Sequence, residues 1–123
     1  MEDKLSLLKE HAEVLGKKLD EVSSVIKKIE EILCMSRVFL EYDFAPIDTE
    51  LYRFELFWKR DDLNGGPLYK LMARITDHTY RDTCGSAVIY KQLSQTKLKY
   101  RLALNEFIED IIDEITNFIV QQN

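Results

Sequence analysis

The chain is poor in the residues that interrupt regular structure, with 4 glycines and 2 prolines among 123 residues. This composition excludes collagen-like and low-complexity proteins and leaves little room for long loops. Runs of apolar residues long enough to span a bilayer are also missing, so we expect no transmembrane segment and no membrane partner. The length is typical of one domain, and we therefore predict a single domain over residues 1–123.

Cysteine and histidine are equally scarce. Cys34 and Cys84 are the two cysteines, and no apolar leader follows Met1. Such usage is typical of cytosolic proteins with free thiols, so we expect a cytoplasmic location. The two histidines, His11 and His78, lie far apart in the sequence, and no glycine pattern that cradles phosphate is present. We expect neither a metal ion nor a cofactor.

The chain also lacks an excess of basic residues, since its formal net charge is −5 and its pI is near 5.1. Binding to a phosphate backbone requires a basic surface. The charge therefore argues against a nucleic-acid partner.

What the sequence does contain is a long heptad pattern at its N-terminus. Apolar residues recur at alternating spacings of three and four residues over four heptads, with Lys and Glu at most outer positions. We predict one amphipathic helix over residues 1–34, in which Gly16 costs about 1 kcal/mol relative to alanine without breaking it. The apolar seam consists of Leu5, Leu8, Ala12, Leu15, Leu19, Val22, Ile26, Ile29 and Leu33.

From Arg37 the apolar period changes to two, which predicts antiparallel strands with one buried and one charged face. A turn at 45–49 and a hairpin connection at 61–67 would join them. The run 87–90 fits a short fourth strand or an early helical turn, and we favour the strand. The predicted sheet spans 36–92. Its three main segments are 37–44, 52–59 and 69–75.

A second helix is predicted over residues 94–121, with Ser94 as its N-cap. Its basic residues come first and its acidic residues later, which is the reverse of the order that the helix dipole favours. That order indicates either complementarity with another element or a solvated face. The predicted fold class is α+β: a long N-terminal helix, a three- or four-stranded antiparallel meander and a long C-terminal helix.

The first helix is too long for the sheet to cover. It measures about 45 Å, whereas a strand of this sheet measures about 26 Å. The overhanging seam must be covered by the second helix of the same chain or by a second copy. We favour a homodimer. Its predicted oligomerisation residues are Leu5, Leu8, Ala12, Leu15, Leu19 and Val22.

The charged face of the sheet is a candidate surface for a protein partner. Phe39, Phe57 and Met72 would lie side by side across neighbouring strands, and aromatic residues, methionine and arginine are enriched in interface hot spots. The alternative is that the second helix covers this face. A nucleic-acid strand is disfavoured because acidic residues share the face. The predicted partner-binding residues are Phe39, Phe57, Met72, Arg37, Arg53 and Arg74.

Groups useful in catalysis gather in one stretch, residues 77–85, which contains an imidazole, a thiol and two carboxylates. Nucleophilic chemistry at Cys84 would need a base beside the thiol. The spacing matches no signature, and polar loops of this kind are usually connections. We therefore do not expect an enzyme, although a reactive Cys84 stays as an alternative.

The leading functional interpretation is a non-catalytic interaction protein that self-associates through its long helices and presents its sheet face or loops to a macromolecule. An alternative is a small-molecule-binding protein or enzyme with an aromatic pocket between sheet and helices, since buried tyrosine hydroxyls need partners that a ligand could supply. The residues of that pocket are Tyr42, Tyr52, Phe54, Trp58 and Tyr69.

Overall fold

The computed structural model describes residues 1–61, 68–80 and 87–123. A long helix, α1 (Glu2–Met35), precedes an antiparallel sheet and a helical C-terminal segment, which confirms the predicted α+β class. The strands are β1 (Tyr42–Asp43), β2 (Ile47–Asp48), β3 (Tyr52–Asp61), β4 (Leu68–Asp77) and β5 (Ala87–Gln92), and the two later helices are α2 (Leu98–Ala103) and α3 (Ile108–Gln122).

Strand β3 is the centre of the sheet. It pairs with β4 on one side and with both β1 and β2 on the other, and β5 extends the sheet beyond β4. The register places Phe54 opposite Ile75 and Leu56 opposite Ala73, all four of which are fully buried. The alternation predicted for β3 and β4 is therefore confirmed, because every second residue enters the core.

Residues 87–92 form strand β5, as favoured from the sequence, and not a helical turn. All six residues pair with β4, from Ala87 opposite Asp77 to Gln92 opposite Met72. The predicted hairpin connection between β3 and β4 falls mostly on residues 62–67, which lie outside the described part of the chain.

The first predicted strand, 37–44, is wrong over most of its length. The chain leaves α1 with Arg37 at φ 57°, and regular pairing starts only at Tyr42. Before that point the carbonyl of Val38 accepts a hydrogen bond from the Trp58 indole at 2.8 Å, so a side chain replaces the strand ladder. Leu40, which would share the buried face of such a strand with Tyr42 and Phe44, is 50% exposed.

The predicted turn at 45–49 is interrupted by strand β2, where Ile47 pairs with Phe54 and Asp48 with Arg53. Pro46 lies in the break between β1 and β2, where a residue without an N–H can lie at a sheet edge. The reversal comes later, because the Thr49 hydroxyl accepts a hydrogen bond from the Tyr52 amide at 2.9 Å.

The single C-terminal helix predicted over 94–121 is divided into two. A 3₁₀ turn at Leu93–Gln95 occupies its predicted start, and a second one at Asn105–Phe107 separates α2 from α3. The break follows from tertiary contacts: Tyr100 of α2 bonds to the end of β4, whereas α3 contacts β1 at the opposite edge of the sheet through its hydrogen bond to Tyr42. One straight helix could not make both contacts.

All three helices pack on the same face of the sheet, where their buried side chains join those of β3 and β4 in one core. Only the second half of α1 contributes to this core. Val22 belongs to this half and is 1% exposed, which corrects its prediction as an oligomerisation residue because no second copy can reach it. The buried residues of α1 are Val22, Ile26, Ile29 and Leu33.

Candidate interaction surfaces

The first half of α1 extends away from the core with its apolar seam uncovered. Every residue from Met1 to Leu15 is exposed, and Leu19 is half-buried where the helix reaches the body of the protein. Leu5 is 56% exposed, Leu8 63% and Leu15 46%, values far above those of the seam residues that follow. The chain's own second helix therefore does not cover this part of the seam.

We call the part of α1 before Val22, residues 2–21, its free half. It carries a second apolar row and a basic flank. Leu7 and Val14, both more than half exposed, lie one heptad apart on one side of the seam. Between them and the seam lie Lys4, His11 and Lys18, again one heptad apart. The acidic residues of the free half lie on the remaining surface: Glu2, Asp3, Glu10, Glu13, Asp20 and Glu21.

None of the three described helices packs on the outer face of the sheet, because they share the opposite face. Phe57 and Met72 are direct cross-strand neighbours here, as the sequence suggested, but Met72 is only 6% exposed and so corrects its prediction as a partner-binding residue. The ammonium of Lys59 lies 5.6 Å from the Phe57 ring and 5.1 Å from the Tyr90 ring. Hydrogen bonding to Tyr90 raises the pKa of Lys59, so this cation stays charged between two rings.

The arginines predicted on this face separate into different settings. Arg53 is paired with Asp48 at 3.0 Å, whereas Arg74 is exposed and lies opposite Tyr90 of β5. Arg37 is at the end of α1, away from the strands. The predicted patch is therefore assembled only in part.

Phe39 is not beside Phe57 and Met72. Its ring lies 5.4 Å from that of Tyr69, a residue of the helix-covered face. The Tyr69 hydroxyl also donates a hydrogen bond to the Phe39 carbonyl at 3.0 Å. The predicted grouping fails because residues 37–41 do not continue the β1 ladder.

The aromatic residues predicted to line a ligand pocket are packed core residues. Phe54 and Trp58 are 0% exposed and Tyr52 is 8% exposed. The Tyr42 ring lies 4.5 Å from that of Phe118 in α3, and the Trp58 ring lies 5.8 Å from that of Tyr69. Protein atoms therefore occupy the space that the pocket hypothesis assigns to a ligand.

The polar atoms of this aromatic group are satisfied within the protein. The Tyr42 hydroxyl donates to the Glu114 carboxylate at 2.6 Å, and the same oxygen accepts from the Ala45 amide at 2.8 Å. This hydrogen bond, with burial and the charge of Glu114, raises the pKa of Tyr42 to about 12. Glu114 thereby fixes the irregular segment between β1 and β2.

Asp77, at the end of β4, is a buried carboxylate that the sequence reasoning placed in a polar loop. It is 0% exposed and accepts hydrogen bonds from the Thr79 amide at 2.9 Å, the Thr79 hydroxyl at 2.5 Å and the Tyr100 hydroxyl at 2.8 Å. Lys99 adds an ion pair at 3.5 Å. Burial alone would raise the pKa of Asp77, but these contacts lower it to about 2.

The same network acts on Tyr100, whose pKa is raised by burial and by the hydrogen bond and charge of Asp77. Asp77 thus joins β4 to α2 through a charged hydrogen bond. The signal that could have identified it is its position: it continues the buried alternation of Leu71, Ala73 and Ile75, which predicts an inward side chain.

Glu30 is a second polar residue whose role the sequence did not reveal. Its carboxylate accepts from the Leu71 amide at 2.7 Å and from the Gln92 side-chain amide at 2.6 Å. The Leu71 amide lies beyond the last β4–β5 pair, Met72 with Gln92. A carboxylate from α1 therefore caps a backbone donor that the sheet leaves unpaired.

The proposed catalytic stretch is only partly described. His78 and Tyr80 are exposed, whereas Cys84 and Asp82 lie outside the described residues. Cys34 is an exposed free cysteine whose sulfur is partly covered. This partial burial and the negative charge of Glu30 raise the pKa of the thiol, which disfavours the thiolate.

Within residues 1–61, 68–80 and 87–123, no group of three or more histidine, cysteine or acidic side chains is arranged to hold a metal ion. None of the helices in these ranges combines the length and the apolar character that crossing a bilayer requires.

Comparisons with known proteins found no counterpart: no protein-family model, curated protein or solved structure matches the chain.

Proposed function

We propose that this chain is a non-catalytic interaction protein that forms a homodimer through the free half of α1 and presents its sheet to a protein partner. The observation that carries the proposal is the exposed seam from Leu5 to Leu15. The scarcity of cysteine supports a cytoplasmic setting.

The free half of α1 should be more stable when another helix covers its apolar seam. A helix of about 20 residues is marginal in water without tertiary packing, and Gly16 lowers its intrinsic stability further. The seam leucines Leu5, Leu8 and Leu15 are about half exposed, so each gains about 1 kcal/mol when a partner helix buries the rest of its side chain. A second copy of the same helix supplies a matching apolar surface.

The position of the body supports an antiparallel pair of helices. Beyond Leu19 the seam faces the core of its own chain, so a partner helix running parallel and in register would collide with the sheet and α2. An antiparallel partner overlaps only the free halves. Each N-terminus then approaches the body of the other copy.

The decisive experiment replaces Leu8 and Leu15 with aspartate and measures molar mass by light scattering after size exclusion. The unmodified protein is expected at twice 14.5 kDa and the variant at 14.5 kDa. The variant lacks Leu8 and Leu15 in both copies, so four leucines no longer contribute to the contact. The dimer dissociation constant should therefore rise at least about a thousandfold.

The matched control places aspartate on the opposite side of the same helix, at Ser6 and Lys17. This variant should remain dimeric with the helix content of the unmodified protein, whereas the monomeric Leu8 and Leu15 variant should lose at most the helical signal of its uncovered N-terminal half, as measured by circular dichroism. A concentration-independent monomer for the unmodified chain contradicts self-association.

A further inference from the structure

Strand β5 is an open edge of the sheet. Among the described residues it pairs with β4 alone, so the backbone groups on its other side are available to another strand. Val88 is 58% exposed and Tyr90 is 45% exposed, which leaves apolar surface on the outer side of this edge. The opposite edge differs, because it is divided between β1 and β2 and contains Pro46 in the break.

A groove of about 330 Å³ runs beside β5 on the helix-covered face. Its walls come from Ile89 and Lys91 of β5, Tyr80 after β4, and Lys97 and Lys99 at the start of α2. An added strand directs every second side chain to this face, so the groove is placed to receive side chains of a segment paired with β5.

The groove is basic although the chain as a whole is acidic. Lys99 is paired with the buried carboxylate of Asp77, whereas Lys91 and Lys97 are exposed and make no ion pair within the described ranges. Two positive charges are therefore uncompensated along one edge. On the outer face, Lys59 and Arg74 lie beside Tyr90, while Glu55 of β3 lies opposite Arg74 and offsets part of the charge there.

From this edge and its charge we propose that β5 binds an extended acidic segment of another protein by strand addition, with its acidic side chains directed towards Lys91 and Lys97. This inference rests on the proposed role as an interaction protein but not on the α1 dimer. Backbone hydrogen bonds supply attachment, and the lysines select the charge of the segment.

The charge excludes a second copy of β5 as the occupant. An inward-pointing lysine on an edge strand is a device that prevents pairing with like edges, and two copies would bring Lys91 and Lys97 of both chains together. A single nucleic-acid strand is less suited, because it cannot supply the alternating amide and carbonyl groups that an open strand edge pairs with.

The test uses a peptide alternating threonine and glutamate over about ten residues, with amide chemical shifts of the full chain as readout. Binding is expected to shift the amides of residues 87–92. A variant with Lys91→Glu and Lys97→Glu should bind about tenfold more weakly, since two attractions become repulsions. The matched control, Lys27→Glu with Lys28→Glu on the exposed side of α1, should bind as the unmodified protein does.

Methylated peptides separate strand addition from ionic association. Only every second amide of an added strand faces β5. Methylation of one set of amides, the glutamate set or the threonine set, should therefore abolish binding, while methylation of the other set should not. The proposal is overturned if the β5 amides do not shift, if both lysine variants bind equally, if neither methylated peptide is weakened, or if an oligothymidylate binds more tightly than the peptide. Light scattering on the same samples reports the α1 dimer independently.

Discussion

Three carboxylates that the sequence presents as ordinary surface charges turn out to connect the elements of this fold. Glu30 joins α1 to the sheet, Glu114 joins α3 to the segment between β1 and β2, and Asp77 joins β4 to α2. The division of the C-terminal segment also accounts for its charge order. Arg101 lies in the last turn of α2, and Glu109 and Asp110 lie in the first turn of α3, where the helix dipoles favour them.

Replacing Asp77 with asparagine should lower the free energy of unfolding by about 2 kcal/mol near neutral pH, because it removes charge-assisted hydrogen bonds from a buried site. In the folded protein the pKa of Asp77 is about 2, below the ordinary aspartate value of 3.8. The stabilisation is therefore complete above pH 4 and is lost as the pH falls through the folded value.

Denaturant unfolding between pH 7 and pH 2 measures this difference. The unmodified protein should lose stability over the acid range more steeply than the asparagine variant, so the two curves converge. Parallel curves would show that Asp77 is not the group that titrates.

Residue identity predicted the apolar alternation of β3 and β4 well, because burial of every second side chain is a local pattern. It did not predict the roles of Glu30, Asp77 and Glu114, because each depends on a partner between 23 and 72 positions away in the chain. Asp77 alone had a local signal, in its phase with the buried residues of β4.

At the scale of elements, α1 is one helix with two physical environments. The same heptad seam is buried from Val22 to Leu33 and exposed from Leu5 to Leu15. Periodicity could not separate the two halves, since an apolar stripe is the same whether its cover lies in the same chain or in another. Comparison of helix length with strand length did indicate that the first half would overhang.

Alanine substitutions should separate these halves. Ile26→Ala should lower the free energy of unfolding by about 2–5 kcal/mol, because it leaves a cavity in the core. Leu15→Ala should change it by less than about 0.5 kcal/mol in a monomeric sample, because its side chain is largely exposed.

Chemical denaturation at a protein concentration low enough to give the monomer mass is the appropriate measurement. Equal losses from the two substitutions would place Leu15 inside the folded unit and remove the basis for a free half of α1.

The elements predicted least well are those whose boundaries depend on tertiary contacts. The hydrogen bond from Trp58 to the Val38 carbonyl replaces a ladder that alternation alone suggested, and the separate contacts of Tyr100 and Glu114 divide a helix that the apolar pattern left continuous. Strand β5 was favoured from a short apolar run that also fitted a helical turn, and its pairing with β4 decides for the strand.

For the whole molecule, charge distinguishes the two proposed surfaces. The free half of α1 carries Lys4 and Lys18 on one flank of its seam, so two antiparallel copies bring these like charges together beside an apolar contact. Salt screens that repulsion. The β5 edge is expected to attract a partner of opposite charge, and salt weakens that attraction.

Raising the salt concentration from about 0.05 M to about 0.5 M should therefore tighten the dimer by about threefold while it weakens binding of the acidic peptide. Sedimentation equilibrium measures the first effect and peptide titration the second. A dimer that weakens with salt would indicate that opposite charges hold it together.

The separation of α1 into two halves also bears on how the chain can diverge. Residues 5–15 lie outside the folded core, so substitutions there should change stability little and act mainly on the proposed dimer. Changes between Val22 and Leu33 face the opposite constraint. In the proposed dimer, the contact residues of this continuous helix could therefore change without loss of the fold.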